Sequence, residues 1–226
     1  MRLWLSMDYD FQEDETMMGT KQTVMDKAAG KTAGKTAGNV AGKNGFRTRD
    51  IVLVGMFAAV LAVISQISLP MPSGVPVTIQ LFGVALVGAV LGSKLGFMAT
   101  VVYILIGAVG LPVFANFHGG FSVLAGMTGG YIMGWPVMAL LCGIRPRWKN
   151  RFLNLAVMIV LALAGMMVVE FAGGLQWSRL SGDMSLGAIM VYSFVAFIPK
   201  DAVLTVLAVV LGSQMRRSLV KAGYLG

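Results

Sequence analysis

The sequence predicts an all-α integral membrane protein with six transmembrane helices. Of its 226 residues, 57% are hydrophobic and 12% are charged, whereas soluble domains are about 45–50% apolar and about 25% charged. The apolar residues after position 50 fall into runs that approach or reach the roughly 17 to 25 residues needed to cross a bilayer. Basic residues cluster in alternate loops between these runs, which is typical of membrane proteins with one orientation.

Residues 1–50 are predicted to form a disordered, basic cytoplasmic tail. This segment is polar and contains the four-residue period "KAAGKTAGKTAGNVAGK", whose glycines and threonines weaken helix formation. Its two "GKT" triplets do not complete a phosphate-binding loop, because the glycine required before each Gly-Lys pair is Met25 or Ala29. We interpret its lysines and arginines as contacts to anionic lipid headgroups.

The predicted transmembrane domain covers residues 51–212. Its six apolar runs comprise residues 51–69, 77–91, 95–110, 127–142, 152–172 and 186–211. Because six is an even number, both termini lie on the same side of the membrane. Residues 213–226 form a second, short basic tail.

Loop charges predict that this side is the cytoplasm. The loops on the side of the termini, together with the C-terminal tail, contain eight basic residues: Lys94, Arg145, Arg147, Lys149, Arg151, Arg216, Arg217 and Lys221. The opposite loops contain only Arg179, and cytoplasmic loops are the ones enriched in lysine and arginine. The net charge of +8 is therefore a topology and lipid signal. Nucleic acid is not an expected partner, because the basic residues are dispersed and lack an aromatic platform.

The segment "GLPVFANFHGGFSVLAGMTGGYIMGW", residues 110–135, has the composition of a small-molecule pocket. Glycines alternate with aromatic residues, and a few side chains such as Asn116 and His118 can form hydrogen bonds. Ligand pockets are mostly apolar and contain few polar contacts. Composition alone leaves an alternative open, in which these aromatics lie at the membrane interface and the glycines pack helices.

Charged residues also occur inside two predicted spans. Lys200 and Asp201 are adjacent in "FIPKDAVLTV", where each charge costs on the order of 3 kcal/mol on insertion scales. Such charges pair with each other or mark a ligand pathway. Glu170, near the end of the fifth span, is expected to lie at the outer interface, and His118 is expected to be a solvated loop residue.

The sequence contains few residues that could form a catalytic or metal site. The single cysteine, Cys142, excludes an internal disulfide, and with His118 as the only histidine an ordinary zinc site is excluded too. Ser122 lies close to His118, but no Gly-x-Ser-x-Gly elbow surrounds it and no third residue is present to orient a base. We therefore expect neither an enzyme nor a metal site.

Four motifs together resemble the BioY family, the biotin-specific substrate-binding subunits of energy-coupling-factor (ECF) transporters. They are "VPVTIQLFGVALVGAVLGSKLG" from Val75, "GAVGLPVFANFHGG", "GMTGGYIMGW" and "FIPKDAV". The resemblance covers about residues 51–212 in the same order and spacing. It implies a compact bundle of six helices in the bacterial cell (inner) membrane, multi-pass, with a biotin cavity near the outer face. It also implies a transmembrane coupling subunit and two ATP-binding subunits as partners, so that this chain itself needs no cofactor.

Biotin offers a ureido ring, apolar rings and chain, and a carboxylate, and these groups suggest roles for residues in the motifs. Asn116 can donate and accept hydrogen bonds, Asp201 can accept from the ureido N–H groups, and Lys200 can supply the cation. The walls and close backbone approaches are assigned to Phe114, Phe117, Tyr131, Gly119 and Gly120.

One position departs from the family. The family pattern resembles Phe-Ile-Pro-Gly-Asp followed three residues later by lysine, whereas here Lys200 occupies the glycine position and Leu204 the lysine position. A flexible lysine stem can deliver its ammonium to a similar place. The alternative is that Lys200 extends toward the outer interface and another group holds the carboxylate.

Partner docking is assigned to the first span. Ala58 and Ala62 form an Ala-x-x-x-Ala motif, and small residues four apart let helices approach closely. This motif resembles the contact that the family makes with its coupling subunit. A second function stays open from the sequence, namely a solitary vitamin facilitator or secondary transporter that works without ATP-binding subunits.

Overall fold

The structure, a computed structural model, describes residues 47–69, 75–146, 148–182 and 185–225. The tail predicted for residues 1–50 lies almost entirely outside this part of the chain, as does Arg147 in the basic loop. The described residues are mostly helical. Their α-helices are α1 (Thr48–Ile64), α2 (Gln80–Leu91), α3 (Ser93–Ala108), α4 (Phe121–Ala125), α5 (Gly129–Cys142), α6 (Arg151–Ser181), α7 (Leu186–Ala196) and α8 (Ile198–Lys221).

Helix α2 is the centre of the bundle. Eleven of its twelve residues are buried, and it packs against α1, α3, α5 and α8. A helix that is apolar on all sides is stable only when it is surrounded. Helix pairs α5–α6 and α1–α3 complete the core.

Several of the predicted spans begin or end elsewhere in the structure. Helix α1, for example, ends at Ile64 and not at residue 69. Helix α2 begins at Gln80 rather than residue 77, because Val77–Thr78 (β2) pairs in antiparallel register with Ser68–Leu69 (β1). Helix α6 continues to Ser181, nine residues beyond the predicted end at 172. Arg179 therefore lies in the last turn of this helix and not in a loop.

The last predicted span, residues 186–211, is interrupted. Helix α7 ends at Ala196 and α8 begins at Ile198, with Phe197 between them. Pro199 explains the break, because it has no N–H to donate to Val195 and its ring clashes with that carbonyl. The second helix then begins beside Lys200 and Asp201, and Asp201 lies in its first turn.

Arginines from two segments cap the C-terminus of α2. Arg216 Nη1 donates to the carbonyls of Val90 and Leu91, both at 2.8 Å, and Arg145 donates to the carbonyl of Ala89. Basic groups satisfy the last carbonyls of a helix and complement its dipole. Burial, together with the charges of Arg216 and Arg217, lowers the pKa of Arg145 to about 10. Two of the residues predicted to set topology thus also stabilise the fold.

Among the described helices, α6 and α8 are long and apolar enough to cross a membrane. Helices α2, α3 and α5 are apolar but contain only 12, 16 and 14 residues. At 1.5 Å per residue they reach about 18 to 24 Å, less than the roughly 30 Å hydrocarbon layer.

The face of α1 that carries Ala58 points into the bundle. Ala58 is only 2% exposed and Ala62 is partly buried against the core. The exposed small residues of this helix are Gly55 and Ala59, which are also four apart, and a β-carbon built on Gly55 has no atom within 4 Å. The small pair exposed on α1 is thus Gly55 and Ala59, three positions before the predicted pair of Ala58 and Ala62.

Candidate ligand-binding site

A cavity of about 270 Å³ lies at the end of the bundle where residues 75–79 and 109–128 connect the helices. Segments from α2, α5, α6 and α8 and from both connections form its wall. The lining is mostly apolar, with a few polar and charged side chains. This volume is slightly below the usual range of about 300–1,000 Å³ for ligand pockets and suits a small ligand.

Aromatic rings packed against one another form one wall. Phe114 and Trp135 line the cavity, and Tyr103 lies behind them. The Tyr103 ring meets Phe114 edge-on at 5.6 Å between centroids and lies 6.0 Å from Trp135. The Tyr103 hydroxyl donates to the Val113 carbonyl at 3.0 Å, so the ring that supports both wall residues is itself fixed.

Tyr131 forms a second wall because α6 has a glycine where the ring lies. The Tyr131 ring rests on Gly173 so closely that a β-carbon there would collide with it. The Tyr131 hydroxyl lies 3.4 Å from Ser193 Oγ on α7. The ring therefore bridges α5, α6 and α7 beside the cavity.

Asn116 lies on the cavity wall in a strained turn. Asn116 and Phe117 both have left-handed backbone conformations, with φ of 56° and 58°, which costs about 1–3 kcal/mol per residue outside glycine. Gln66 holds this turn, since its Oε1 accepts from the Phe117 N–H at 3.0 Å and its Nε2 donates to the Phe114 carbonyl at 3.2 Å. Ser68 Oγ donates to Asn116 Oδ1 at 2.8 Å, which leaves the Asn116 amide N–H groups for a ligand.

We expect Gln66→Leu to weaken ligand binding by about 10-fold. The change removes the hydrogen bonds to Phe114 and Phe117, each worth about 1 kcal/mol, and the strained turn then relaxes away from its binding position. Equilibrium binding to the purified protein measures the effect. Gln214→Leu is the matched control, because Gln214 is exposed on α8 at the opposite end of the bundle. Equal affinity of both variants and the wild type would show that the turn does not need Gln66.

Lys200 and Asp201 form an ion pair on the cavity wall. Lys200 Nζ lies 2.6 Å from Asp201 Oδ1 and donates at 2.8 Å to the carbonyl of Thr78. The Asp201 side chain is 4% exposed and that of Lys200 is 27% exposed. An ammonium has three N–H donors, so one remains for a ligand. The two charges thus neutralise each other at the wall of a cavity.

Glu170 lies inside the bundle, and the expectation that it sits at the outer interface is wrong. It is 4% exposed, lines the cavity, and its Oε2 has no hydrogen-bond partner among the described residues. The expectation assumed that the fifth span ends close to Glu170, whereas α6 continues for eleven residues beyond Glu170. His118 is exposed as expected, with Nδ1 3.0 Å from the Ala115 carbonyl, and it also contributes to the lining.

The predicted site residues divide into two groups. Asn116, Lys200, Asp201, Phe114 and Tyr131 line one cavity. The other three, Phe117, Gly119 and Gly120, are not part of its lining.

The local packing of residues 117–120 explains why Phe117, Gly119 and Gly120 are not part of the lining. Phe117 is 71% exposed. A β-carbon on Gly119 would collide with the Leu111 carbonyl, and Gly120 has a φ of +98°, which favours glycine. The two glycines shape the connection between α3 and α4, and their role as direct ligand contacts stays a prediction.

Sequence reasoning did not assign several lining residues. Trp135 and Thr78 occur in the quoted motifs but were given no role, and Glu170 was placed elsewhere. Phe197 lines the cavity because the helix break turns it inward, and the break has a sequence signal in Pro199. Among the described residues, no group of three or more histidine, cysteine, aspartate or glutamate side chains could hold a metal ion.

Comparisons with known proteins agree with the motifs. The sequence matches the BioY family over residues 33–221. It is 34% identical over 170 residues to the "Probable biotin transporter BioY" of Pyrococcus horikoshii, which covers 75% of this chain and 98% of that protein. It is 36% identical over 169 residues to the "Biotin transporter BioY" of Thermotoga maritima, covering 75% and 96%.

A solved structure has the same fold. It is the crystal structure at 2.1 Å of "the S-component for biotin from an ECF-type ABC transporter", with a TM-score of 0.66 and 25% sequence identity. The superposition covers 78% of this chain and 95% of that one. The similarity thus extends over nearly the whole of the solved protein.

Proposed function

Because the chain belongs to the BioY family, we propose that it binds biotin and mediates its uptake as the substrate-specific subunit of an ECF-type transporter. The observation that carries this proposal is the cavity, whose wall combines the aromatic side chains of the "GLPVFANF" and "TGGY" motifs with the charges of "FIPKD". The chain is also similar over most of its length to proteins named as biotin transporters. The family consists of transport proteins and not of enzymes.

The roles proposed at the site follow from the ligand's chemistry. Aromatic side chains pack against the apolar rings and chain of biotin, and the free Asn116 amide N–H donates to an oxygen of the ligand. Lys200 has one N–H left after its contacts to Asp201 and Thr78, and this donor is assigned to the carboxylate. Because this donor is charged, its hydrogen bond to a carboxylate is stronger than one between neutral groups.

The proposed membrane arrangement has six spans with both termini in the cytoplasm. Helices α1, α2, α3, α5, α6 and the near-continuous α7–α8 supply the spans, and the short ones are shielded by their neighbours. Arg145, Arg216 and Arg217 lie at the end of the bundle opposite the cavity, where positive charge is typical of the cytoplasmic face and meets anionic lipid. The cavity then opens toward the outside of the bacterial inner membrane.

Uptake is proposed to require a transmembrane coupling subunit and two ATP-binding subunits, since this chain has no nucleotide motif. The exposed face of α1 is the proposed docking surface, with Gly55 and Ala59 replacing Ala58 and Ala62 as the small pair that a partner helix meets. Close approach of helices in lipid depends on such small residues. The burial of Ala58, which is 2% exposed, supports this choice of the exposed pair.

We expect Ala59→Leu and Gly55→Leu to abolish most uptake and leave biotin affinity unchanged, because both side chains project from the exposed face. Ala58→Leu is the contrasting variant: it places a large side chain in the core and should lower stability by about 1–3 kcal/mol. Uptake in cells, binding to purified protein and thermal unfolding separate the three effects. Normal transport by Ala59→Leu and Gly55→Leu would remove this surface from the docking proposal.

The function itself is tested by equilibrium binding of labelled biotin to the purified chain without any partner. We expect saturable, stoichiometric binding that does not need ATP. Uptake into proteoliposomes, with and without the coupling and ATP-binding subunits, then distinguishes the subunit of a larger transporter from a solitary facilitator. Uptake that is equally fast in both preparations would favour the facilitator, and absence of saturable binding would refute the proposal.

A further inference from the structure

The cavity wall contains two polar groups that no described residue satisfies. Trp135 Nε1 and Glu170 Oε2 are both buried and both lack a hydrogen-bond partner among the described residues, although both side chains line the cavity. Unpaired buried polar groups cost about 1–3 kcal/mol each, and more when charged. Their presence on the wall of one cavity suggests that the ligand is their partner.

The two groups come from helices that touch at the same height. A β-carbon on Gly134 would lie 3.0 Å from the Cα of Val169, and Trp135 and Glu170 are the next residues on each helix. Because α5 and α6 are antiparallel neighbours, the Cα atoms of Trp135 and Glu170 are offset by only about 3 Å along the bundle axis. The indole and the carboxyl group therefore lie at a similar depth in the cavity.

Their chemistry is complementary. An indole N–H can only donate, and an ionised carboxylate can only accept. A cyclic urea presents the matching pair, since its carbonyl accepts and its neighbouring N–H groups donate. An apolar ring satisfies neither group, and a hydroxyl satisfies both only where the donor and the acceptor converge on one oxygen.

The Lys200–Asp201 pair cannot hold both ends of the ligand. In biotin the ring urea and the carboxylate lie at opposite ends of an extended molecule, whereas Lys200 Nζ and Asp201 Oδ1 are 2.6 Å apart. If Lys200 binds the carboxylate, another part of the wall must bind the urea. Asp201 then acts as the counter-ion that positions the ammonium.

We propose that Trp135 and Glu170 read the cyclic urea of the ligand, with the Trp135 indole N–H donating to the urea oxygen and Glu170 accepting from a urea N–H. This inference rests on the proposed function and extends it to the specificity-determining residues. It predicts that affinity depends on these two side chains in different ways when the urea is altered chemically.

The test compares biotin with 2-iminobiotin, in which a protonated imine replaces the urea oxygen, by equilibrium binding to purified variants. Trp135→Phe keeps an aromatic wall and removes the donor, so it should weaken biotin by about 5- to 10-fold and affect 2-iminobiotin much less. Glu170→Gln removes the negative charge. It should therefore weaken binding of the cationic 2-iminobiotin by about 10- to 100-fold and weaken binding of biotin less. A biotin amide keeps the urea, so its affinity should fall by the same factor as that of biotin in both variants.

Matched controls are available in the same chain. Trp177→Phe changes a tryptophan of α6 that is 2% exposed but does not line the cavity, and Thr205→Val removes a buried, unsatisfied hydroxyl away from it. Both should leave the two affinities unchanged. Equal losses for biotin and 2-iminobiotin in Trp135→Phe and in Glu170→Gln, or no loss in either, would overturn the assignment while wild-type biotin binding stands. Absence of wild-type binding would instead refute the proposed function.

Discussion

Lys200→Met is expected to weaken biotin binding by about 1.5–3 kcal/mol, which corresponds to roughly 10- to 150-fold. The change removes the charged donor assigned to the ligand carboxylate and keeps the length of the side chain. A biotin amide has no carboxylate, so its affinity should be nearly unaffected. Titration of the purified variant with both ligands measures the difference. Equal losses for the two ligands would show that this lysine does not hold the carboxylate.

The ion pair adds a second expectation, because either single change leaves the other charge unpaired. Removing one member of a buried pair costs about 3–5 kcal/mol, and the partial exposure of Lys200 places the cost at the lower end. Lys200→Met and Asp201→Asn should therefore both lower the unfolding temperature. The double variant should recover much of that stability and still bind biotin weakly.

The affinities of Asp201→Asn for biotin and for the biotin amide distinguish two roles for the Asp201 side chain. The role predicted from the sequence, acceptance from the ureido N–H groups, requires equal losses for biotin and the amide. The observed contact with Lys200 at 2.6 Å leads us to expect a loss confined to biotin, since the ammonium is no longer positioned. Recovery of biotin affinity in the double variant would show that the pair is purely structural.

Gly88→Ala is expected to lower stability by about 1–3 kcal/mol, the usual cost of overpacking, and Gly88→Val should lower it further. A β-carbon at this position would collide with the Ala139 carbonyl and lie 2.9 Å from the Cβ of Cys142. Helix α3 also crosses here, because a β-carbon on Gly96 would lie 2.8 Å from the Cα of Gly88. Three helices thus depend on the missing side chain.

The same methyl group should have the opposite effect at Gly55. No atom lies within 4 Å of a β-carbon there, and replacing glycine by alanine inside a helix stabilises it by roughly 0.5–1 kcal/mol. Thermal unfolding of both variants in the same detergent compares them directly. A similar change in unfolding temperature for Gly88→Ala and Gly55→Ala would mean that α2, α3 and α5 do not cross as closely as described.

Local composition was sufficient for much of the site. The segment rich in aromatics and glycine was predicted as a pocket, and the resemblance to the BioY family then suggested Phe114 and Tyr131 as walls and Asn116 as a hydrogen-bonding group; all three line the cavity. Lys200 and Asp201 were recognised because charges inside an apolar run need compensation. These predictions depended on residues close together in the sequence, where type and spacing carry the information.

Contacts between segments that are distant in the sequence could not be predicted from local residue type and spacing. Lys200 donates to Thr78 across 122 positions, and Gln66 holds the turn at Phe117 across 51 positions. Nothing in either local sequence identifies the partner. For Ala58 the difficulty was different: α1 is apolar on every side, so its pattern does not show which face is buried.

The sequence by itself determined that this protein is a membrane protein of the BioY family, because hydrophobic runs, loop charges and short motifs are properties of the chain alone. Only the tertiary structure decided which small residues of α1 remain exposed, that Glu170 faces the cavity, and that Lys200 and Asp201 form one unit. The physical reason is that burial and pairing depend on what other helices place nearby. In a chain that is apolar almost throughout, polarity cannot distinguish the inside of the bundle from the lipid.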